Sequence, residues 1–373
     1  MDFHDRNIIV GKSNHGFTNL YIDMLIHNCH VKPENICLLT LDDEENKTLP
    51  DEHQILIRYY ERCSLQDVSS AKTITFISLS KSNSFFIKQL LDYSTENADK
   101  IYIHLTEDEL DRWTLTKRKF GQIVETSKNS VSAACLAVMP LIKNFIASEA
   151  AFRPMLENVL ERNDFNIIDA RDAFSVMPVK LLRKFKDLYD DNSQNTQPEQ
   201  KILIGAKRGV FKLREVISLL RSIEKQGILL DYKYMIFTYK KRKLFRVLID
   251  LYCLYLRHIK KKIIDISYPT VTNSVTYNAL LMSCSHIVLQ RRGGMTSIKE
   301  YIRMGRGVVH AKADSTNHKE LTQSIGVDVA TYNNFSEIAS NIKTNQIDIQ
   351  QNQRIITRRF NDSYQKLRSV YVN

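Results

Sequence analysis

What this chain lacks narrows it quickly. Of its 373 residues only 11 are glycine, seven are proline and one is tryptophan, which excludes collagen-like and low-complexity classes. No uncharged apolar run approaches the roughly 18 residues of a membrane-crossing helix, so no span is expected. Met1 to Asn7 is polar and leads straight into an apolar run, so no signal peptide is expected. Cysteine is present without metal spacing. Cys29, Cys37, Cys63, Cys135, Cys253 and Cys284 are scattered through apolar stretches, as reduced core thiols of a cytoplasmic protein are. A clear Asp-x-Asp motif at a strand end is also missing, so neither a metal nor any other cofactor is expected.

What is there is globular. Hydrophobic residues make up 43% and charged residues 25%, and a chain this long suits two domains better than one core. The net charge of +11 points to an anionic partner: nucleic acid, a nucleotide sugar or an acidic membrane surface. The excess is concentrated in residues 240–262. Lys240, Lys241, Arg242, Lys243, Arg246, Arg257, Lys260, Lys261 and Lys262 stand there against one acid, Asp250. Between the basic ends, Leu244 to Leu256 is apolar and helical in character, and too short to span a bilayer. Three readings stay open for it: a helix docked on anionic lipid, a nucleic-acid site, or a half-buried helix with snorkelling lysines. No aromatic residues interleave with the basic ones as in an RNA-reading motif, so nucleic acid is not the expected partner.

Along the chain, strands are expected at 7–10, 35–41, 55–60, 73–78 and 100–105, with helices at 19–28 and 84–93. Residues 115–190 read as mostly helical, with a short strand at 167–168. The stretch 190–200 is polar, contains Pro198 and reads as an exposed linker. The pattern then restarts: strand 201–205, helix 209–223, strands 234–237 and 263–266, helix 276–283, strand 327–330 and a helical region 335–368. Alternating strands and helices argue for parallel α/β sheets covered on both faces. The expected domains are 1–190 and 201–350, with a C-terminal helix, 351–373, returning to the first.

The densest signal follows the apolar strand 286–290. Arg291-Arg292-Gly293-Gly294-Met295-Thr296-Ser297 runs into a helix that contains Glu300, stops at Gly305 and gives way to a strand at Val308-Val309. Thr296 or Ser297 is the expected cap. A helix N-terminus behind a glycine turn gathers unpaired N–H groups and the positive end of the helix dipole, and two arginines at its mouth add fixed charge. This reads as a pocket for a nucleotide diphosphate, or as an ordinary strand–helix–strand unit with a glycine turn.

The residues from Ser297 to Val309 resemble the donor-site helix of GT-B glycosyltransferases, in which a glutamate five residues before a glycine binds the ribose of the donor. Glu300 and Gly305 keep that spacing. Many families place proline two residues beyond the glycine, where this chain has Gly307. The earlier glutamate of the two-glutamate motif is Arg292 here. Lys207 and Lys212, five apart after the strand 201–205, resemble the basic pair that neutralises a donor diphosphate. More narrowly, Lys201 to Gly205, the segment Tyr277 to Ser285, Arg291 to Thr296 and, weakly, Tyr102 to Leu110 resemble the fucosaminyltransferase family of enterobacterial common antigen synthesis.

The resemblance implies an α/β fold of two Rossmann-like domains facing each other across a cleft, and a metal-independent glycosyltransferase. Its donor would be a nucleotide-diphosphate sugar and its acceptor a glycan or lipid-linked glycan of a bacterial surface polysaccharide. The protein would be cytoplasmic, peripheral on the inner face of the membrane. Donor-binding candidates are Lys207, Lys212, Tyr268, Thr276, Arg291, Arg292, Gly293, Gly294, Met295, Thr296 and Glu300. The base should sit in a loop at the C-terminal end of a strand of the first domain. His15 qualifies by loop position, Asp108 by its place after the strand ending at Leu105, and Glu109 by that place and by the family comparison. A nucleotide-sugar epimerase on the same fold, a nucleic-acid-binding protein and a non-catalytic scaffold are the alternatives.

Overall fold

The computed structural model describes residues 3–13, 15–41, 53–125, 131–170, 174–175, 177–191, 200–207, 210–238, 242–271, 273–290, 294–344 and 346–372. The chain forms two compact units: Met1–Val179 together with Phe360–Asn373, and Lys180–Arg359.

Unit 1 runs β1 (Asn7–Gly11), α1 (Gly16–His27), β2 (Ile36–Thr40), β3 (Leu56–Tyr59), α2 (Leu65–Ser69), β4 (Thr73–Ile77), α3 (Ser84–Tyr93), α4 (Asn97–Lys100), β5 (Ile101–His104), α5 (Glu107–Phe120), α6 (Ala133–Val138), β6 (Asn144–Ala147), α7 (Glu149–Leu160) and β7 (Asn166–Asp169). The strands form one sheet in the order β3-β2-β1-β4-β5-β6-β7, with every pair parallel. β2, Ile-Cys-Leu-Leu-Thr, is buried at every position, as a strand covered on both faces must be. α3 buries Phe86, Ile87, Leu90 and Leu91, one face at helical spacing. β6 falls in the region expected to be helical. Its four residues are all buried, and periodicity alone cannot tell so short an apolar run from a helix turn.

Unit 2 holds α8 (Val179–Asp191, its first residue in unit 1), β8 (Lys201–Ile204), α9 (Leu213–Lys225), β9 (Lys233–Ile236), α10 (Lys243–His258), β10 (Asp265–Ser267), α11 (Ser274–Met282), β11 (His286–Leu289), α12 (Met295–Arg303), β12 (Val308–Lys312), α13 (Thr316–Lys319), β13 (Ala330–Tyr332), α14 (Phe335–Thr344) and the start of α15 (Ile349–Val372). Its sheet, also parallel, has the order β10-β9-β8-β11-β12-β13. This is the doubly wound Rossmann order, in which the connections leaving the two central strands diverge and open a crevice at the strands' C-terminal ends. The core joins Val216, Leu219, Leu220 and Ile223 of α9 to Ile202, Ile204, Tyr234 and Ile236 of the sheet.

The units divide at Val179–Lys180, ahead of the expected linker at 190–200, most of which lies outside the described residues. The chain returns to unit 1 inside α15, at Arg359–Phe360. There the Tyr371 hydroxyl meets those of Tyr21 (2.9 Å) and Thr75 (2.8 Å), and its carbonyl accepts from the Asn7 amide at 2.8 Å. The region expected to be helical over 335–368 holds two helices, α14 and α15. Asp348 starts the second, its carboxylate accepting the Gln351 N–H at 2.9 Å, an N-terminal cap. No helix among the described residues is long and apolar enough to cross a membrane.

Candidate functional site

The crevice of unit 2 is built from three short segments. Gly205, straight after β8, has φ +86° and donates its N–H to the Val288 carbonyl of β11 at 3.0 Å. Ala206 follows, and its carbonyl accepts the Tyr277 hydroxyl of α11. Gly294 precedes α12 with φ +71°. A Cβ on Gly294 would lie 3.1 Å from the Tyr277 hydroxyl and 3.7 Å from Ala206 Cβ. The turn after β8, the helix α11 and the N-terminus of α12 therefore meet at the switch point of the sheet. Phe237, straight after β9, stacks on Tyr277 with centroids 5.6 Å apart. Its neighbour Thr238 is buried, and its hydroxyl has no hydrogen-bond partner among the described residues.

The cap of α12 is Gly294, which has no side chain to offer. Met295, Thr296 and Ser297 thus occupy the first turn, earlier than the expected start at Thr296 or Ser297. A glycine able to adopt a left-handed conformation takes the capping position instead. The N–H groups of that turn have no acceptor within their own helix and gain the positive end of its dipole. Thr276 is likewise not the cap of its helix. Asn273 is, accepting the Thr276 N–H at 2.9 Å, while the Thr276 hydroxyl donates back to the Asn273 carbonyl.

Glu215, in the first turn of α9, joins two loops. One oxygen accepts the backbone N–H of Lys212 at 2.7 Å and the other the side-chain amide of Gln290 at 2.6 Å. The loop carrying Lys207 and Lys212, both exposed, is thereby tied to the residue that precedes Arg291. Arg291, Arg292 and Gly293 themselves lie outside the described residues. A cavity of about 440 Å³ opens beside this bridge, lined by Glu215, Ser218, Gln290, Lys312, Tyr332 and Asn334 among others.

Glu300 is fully buried, with Arg303 Nη1 3.6 Å from one carboxylate oxygen. A carboxylate withdrawn from water needs such compensation. Tyr268 packs on α10, donating its hydroxyl to Asp250 at 2.9 Å under the Arg246 guanidinium. Burial, followed by Asp250, pushes its phenol well up.

In unit 1, His15 is exposed at the N-terminus of α1. Ring contacts of 5.4, 5.4 and 5.5 Å run from His15 through Phe17 and Phe174 to the buried His104 at the end of β5. Glu109 is 1% exposed. One oxygen accepts the Thr106 N–H (3.0 Å) and hydroxyl (2.9 Å), and the other accepts the Leu79 N–H. It closes a capping box at the start of α5 and ties that helix to the end of β4. Burial raises its carboxyl above the usual range, while those donors pull the other way. Asp108 falls in the first turn of α5, and its side chain lies outside the described residues.

For metals, one group of three residues able to offer a ligand atom stands together among the described residues: Asp23 and His27 of α1 with His53. Asp23 also accepts the Val179 N–H at 2.6 Å. The expectations based on residue type did not include Ala206, Phe237, Thr238 and His104. Their one sequence signal is position, each standing at or just beyond the C-terminal end of a strand. Tyr277 appeared only within a resembling segment.

No protein-family model matches the chain, and no curated protein does. Solved structures do resemble it. A glycosyltransferase from Rickettsia africae is 13% identical, with 99% of this chain and 98% of that one covered at a TM-score of 0.54. Anabaena HepE, solved with UDP-glucose, is 13% identical, with 98% of each chain covered at 0.52. A putative UDP-N-acetylglucosamine 2-epimerase from Listeria monocytogenes is 11% identical, with 94% and 91% covered at 0.52. With two parallel sheets flanked by helices, the fold is α/β with two Rossmann-like domains, as in GT-B glycosyltransferases.

Proposed function

We propose that this chain is a glycosyltransferase. It moves a sugar from a nucleotide-diphosphate donor to a glycan or lipid-linked glycan acceptor of a bacterial surface polysaccharide. The observation that carries the reading is the meeting of the Gly205-Ala206 turn, Tyr277 and the glycine-capped N-terminus of α12. Gly294 brings no side chain of its own to cap the first backbone N–H groups of α12, which remain available to an anionic ligand. The donor diphosphate lies against that terminus, with Lys207, Lys212, Arg291 and Arg292 supplying positive charge to the departing nucleotide. Fixed cationic groups perform the task a divalent metal performs elsewhere, so donor binding is metal-independent. Glu300 takes the ribose hydroxyls. His15, exposed at a strand end, is the preferred base for the acceptor hydroxyl, with Asp108 second. Glu109 holds the loops of that edge through its capping bonds.

The likeness to an epimerase keeps a second reading alive, in which the same donor pocket releases a free sugar with no acceptor. Melting the protein with UDP, GDP, TDP or CMP, each with and without EDTA, tests the shared pocket. A ligand at about 100 times its Kd stabilises by about 2.7 kcal/mol, a shift of several degrees. One nucleotide should raise the melting temperature and keep doing so in EDTA. No shift with any nucleotide would remove both readings. Free sugar formed without acceptor would favour the epimerase.

A further inference from the structure

α10 has two apolar faces, and only one is used. Ile249, Tyr252 and Leu256 are buried in the core of unit 2. On the other side, Leu244, Val247, Leu248, Leu251, Leu254 and Tyr255 form a continuous exposed stripe about 120° wide. Leu244 is 71% and Leu251 54% exposed, and the stripe ends at Ile259, 68% exposed at the C-cap of the helix. Monomers in water rarely leave so much contiguous apolar surface uncovered.

The charges around the stripe indicate what covers it. Exposed Lys243 stands at the N-terminal end, and Arg257, Lys260 and Lys261 at the other. The acid of this helix, Asp250, is engaged by Tyr268, and Lys262 pairs with Glu224 at 3.0 Å. Both ends of the stripe are therefore basic. A second copy of this chain laid helix to helix would set basic ends against basic ends in either direction. An anionic lipid surface complements both ends and takes the apolar side chains between them.

We infer that α10 docks unit 2 on an anionic bilayer surface, lying in the plane of the interface with the Leu244–Leu251–Ile259 stripe among the acyl chains and the lysines at the headgroups. At about 1.5 Å per residue the helix is about 24 Å long, suited to lie along the interface rather than to cross it. α10 starts just beyond β9, the strand whose end carries Phe237 and Thr238, so docking holds the crevice edge of unit 2 close to the membrane. The inference rests on this surface alone and does not require the catalytic reading.

Vesicle sedimentation of the full-length protein tests it. Vesicles are phosphatidylcholine alone or with about one third phosphatidylglycerol, at low and high salt. Binding to the anionic vesicles should exceed binding to the neutral ones by about tenfold or more at low salt, and fall at high salt. A Leu244→Ser/Leu251→Ser variant keeps every charge and, with both sites exposed, should melt with the wild type. It should bind about tenfold more weakly. A Lys243→Glu/Lys260→Glu variant should lose the preference for anionic lipid. The inference is overturned if nothing sediments with anionic vesicles or if the serine variant binds as well as the wild type. It is equally overturned if ultracentrifugation shows a dimer that the serine variant abolishes. Nucleotide binding is measured without vesicles, so failure of one reading leaves the other standing.

Discussion

Gly307, in the turn between α12 and β12, makes a sharp stability prediction. A Cβ added there would overlap the Ser285 carbonyl oxygen and the Tyr301 hydroxyl, and lie 2.8 Å from the Ser285 carbonyl carbon. Neither obstacle moves cheaply. The Ser285 carbonyl accepts the Val308 N–H at 2.9 Å, a bond that helps join β11 to β12. The Tyr301 hydroxyl, fully buried, donates to the Cys284 carbonyl at 2.9 Å. Gly307→Ala must spread the two strands or expel the tyrosine. Overpacking costs about 1–3 kcal/mol, and stranding a buried hydroxyl and carbonyl about 1–3 more. The expected loss is about 3–5 kcal/mol, a large part of a domain's stability, read as a fall of about 10 °C in melting temperature. Urea unfolding gives the free energy directly. Gly227→Ala is the control: φ there is +79° but nothing lies within 4 Å of the added carbon, so only left-handed strain of about 1–2 kcal/mol applies. If Gly307→Ala unfolds at the same urea midpoint as Gly227→Ala, the packing argument is wrong.

Four further outcomes are expected. His286 and His310 face each other at 3.0 Å inside the sheet. Burial lowers His286 from 6.5 to about 4 and His310 well below its usual value. Both stay neutral in the fold, whereas the unfolded chain takes up protons below 6.5. Stability is therefore intact above that pH and lost as pH falls toward 4, by about 2 kcal/mol at about pH 5 from His286 alone. His286→Asn should flatten the dependence in urea titrations, and an unchanged slope would disprove the assignment. Glu300→Gln should weaken nucleotide binding about tenfold or more, measured by calorimetry; wild-type affinity would free Glu300 of its ribose role. Glu109→Ala should destabilise by about 2–4 kcal/mol through lost caps and stranded donors, whereas His15→Ala should melt with the wild type and abolish transfer. Tyr371→Phe should cost about 1–2 kcal/mol by removing two buried hydroxyl contacts, a difference visible in urea midpoints.

The sheets were legible in the sequence because their strands are short apolar runs punctuated by polar turns. β1, β4, β5, β8 and β11 lie within a residue or two of expectation. Ends were less legible where tertiary partners decide them. Val327 and Val329 are buried yet precede β13, which begins at Ala330 once the chain has cleared the turn at Gly326. The helix expected behind the glycine turn is α12, but its cap depends on backbone conformation at Gly294, not on a nearby hydroxyl. The walls of the crevice were hidden for a different reason. Ala206, Phe237 and Thr238 carry no distinctive chemistry, and only the fold brings them to one edge. Gly307 is the converse: the overlap with the Ser285 carbonyl gives a steric reason for glycine there that only the fold reveals.

The return of α15 has a consequence for the order of events at synthesis. Tyr371 supplies the hydroxyl that Tyr21 and Thr75 meet and the carbonyl that Asn7 meets. The ribosome adds it only after all of unit 2. Domains ordinarily complete themselves from the N-terminus onward as the chain emerges. Here the unit translated first is the one finished last, its central strands β1 and β4 waiting on a residue 364 and 296 positions downstream, while unit 2 has its whole sequence in hand before that.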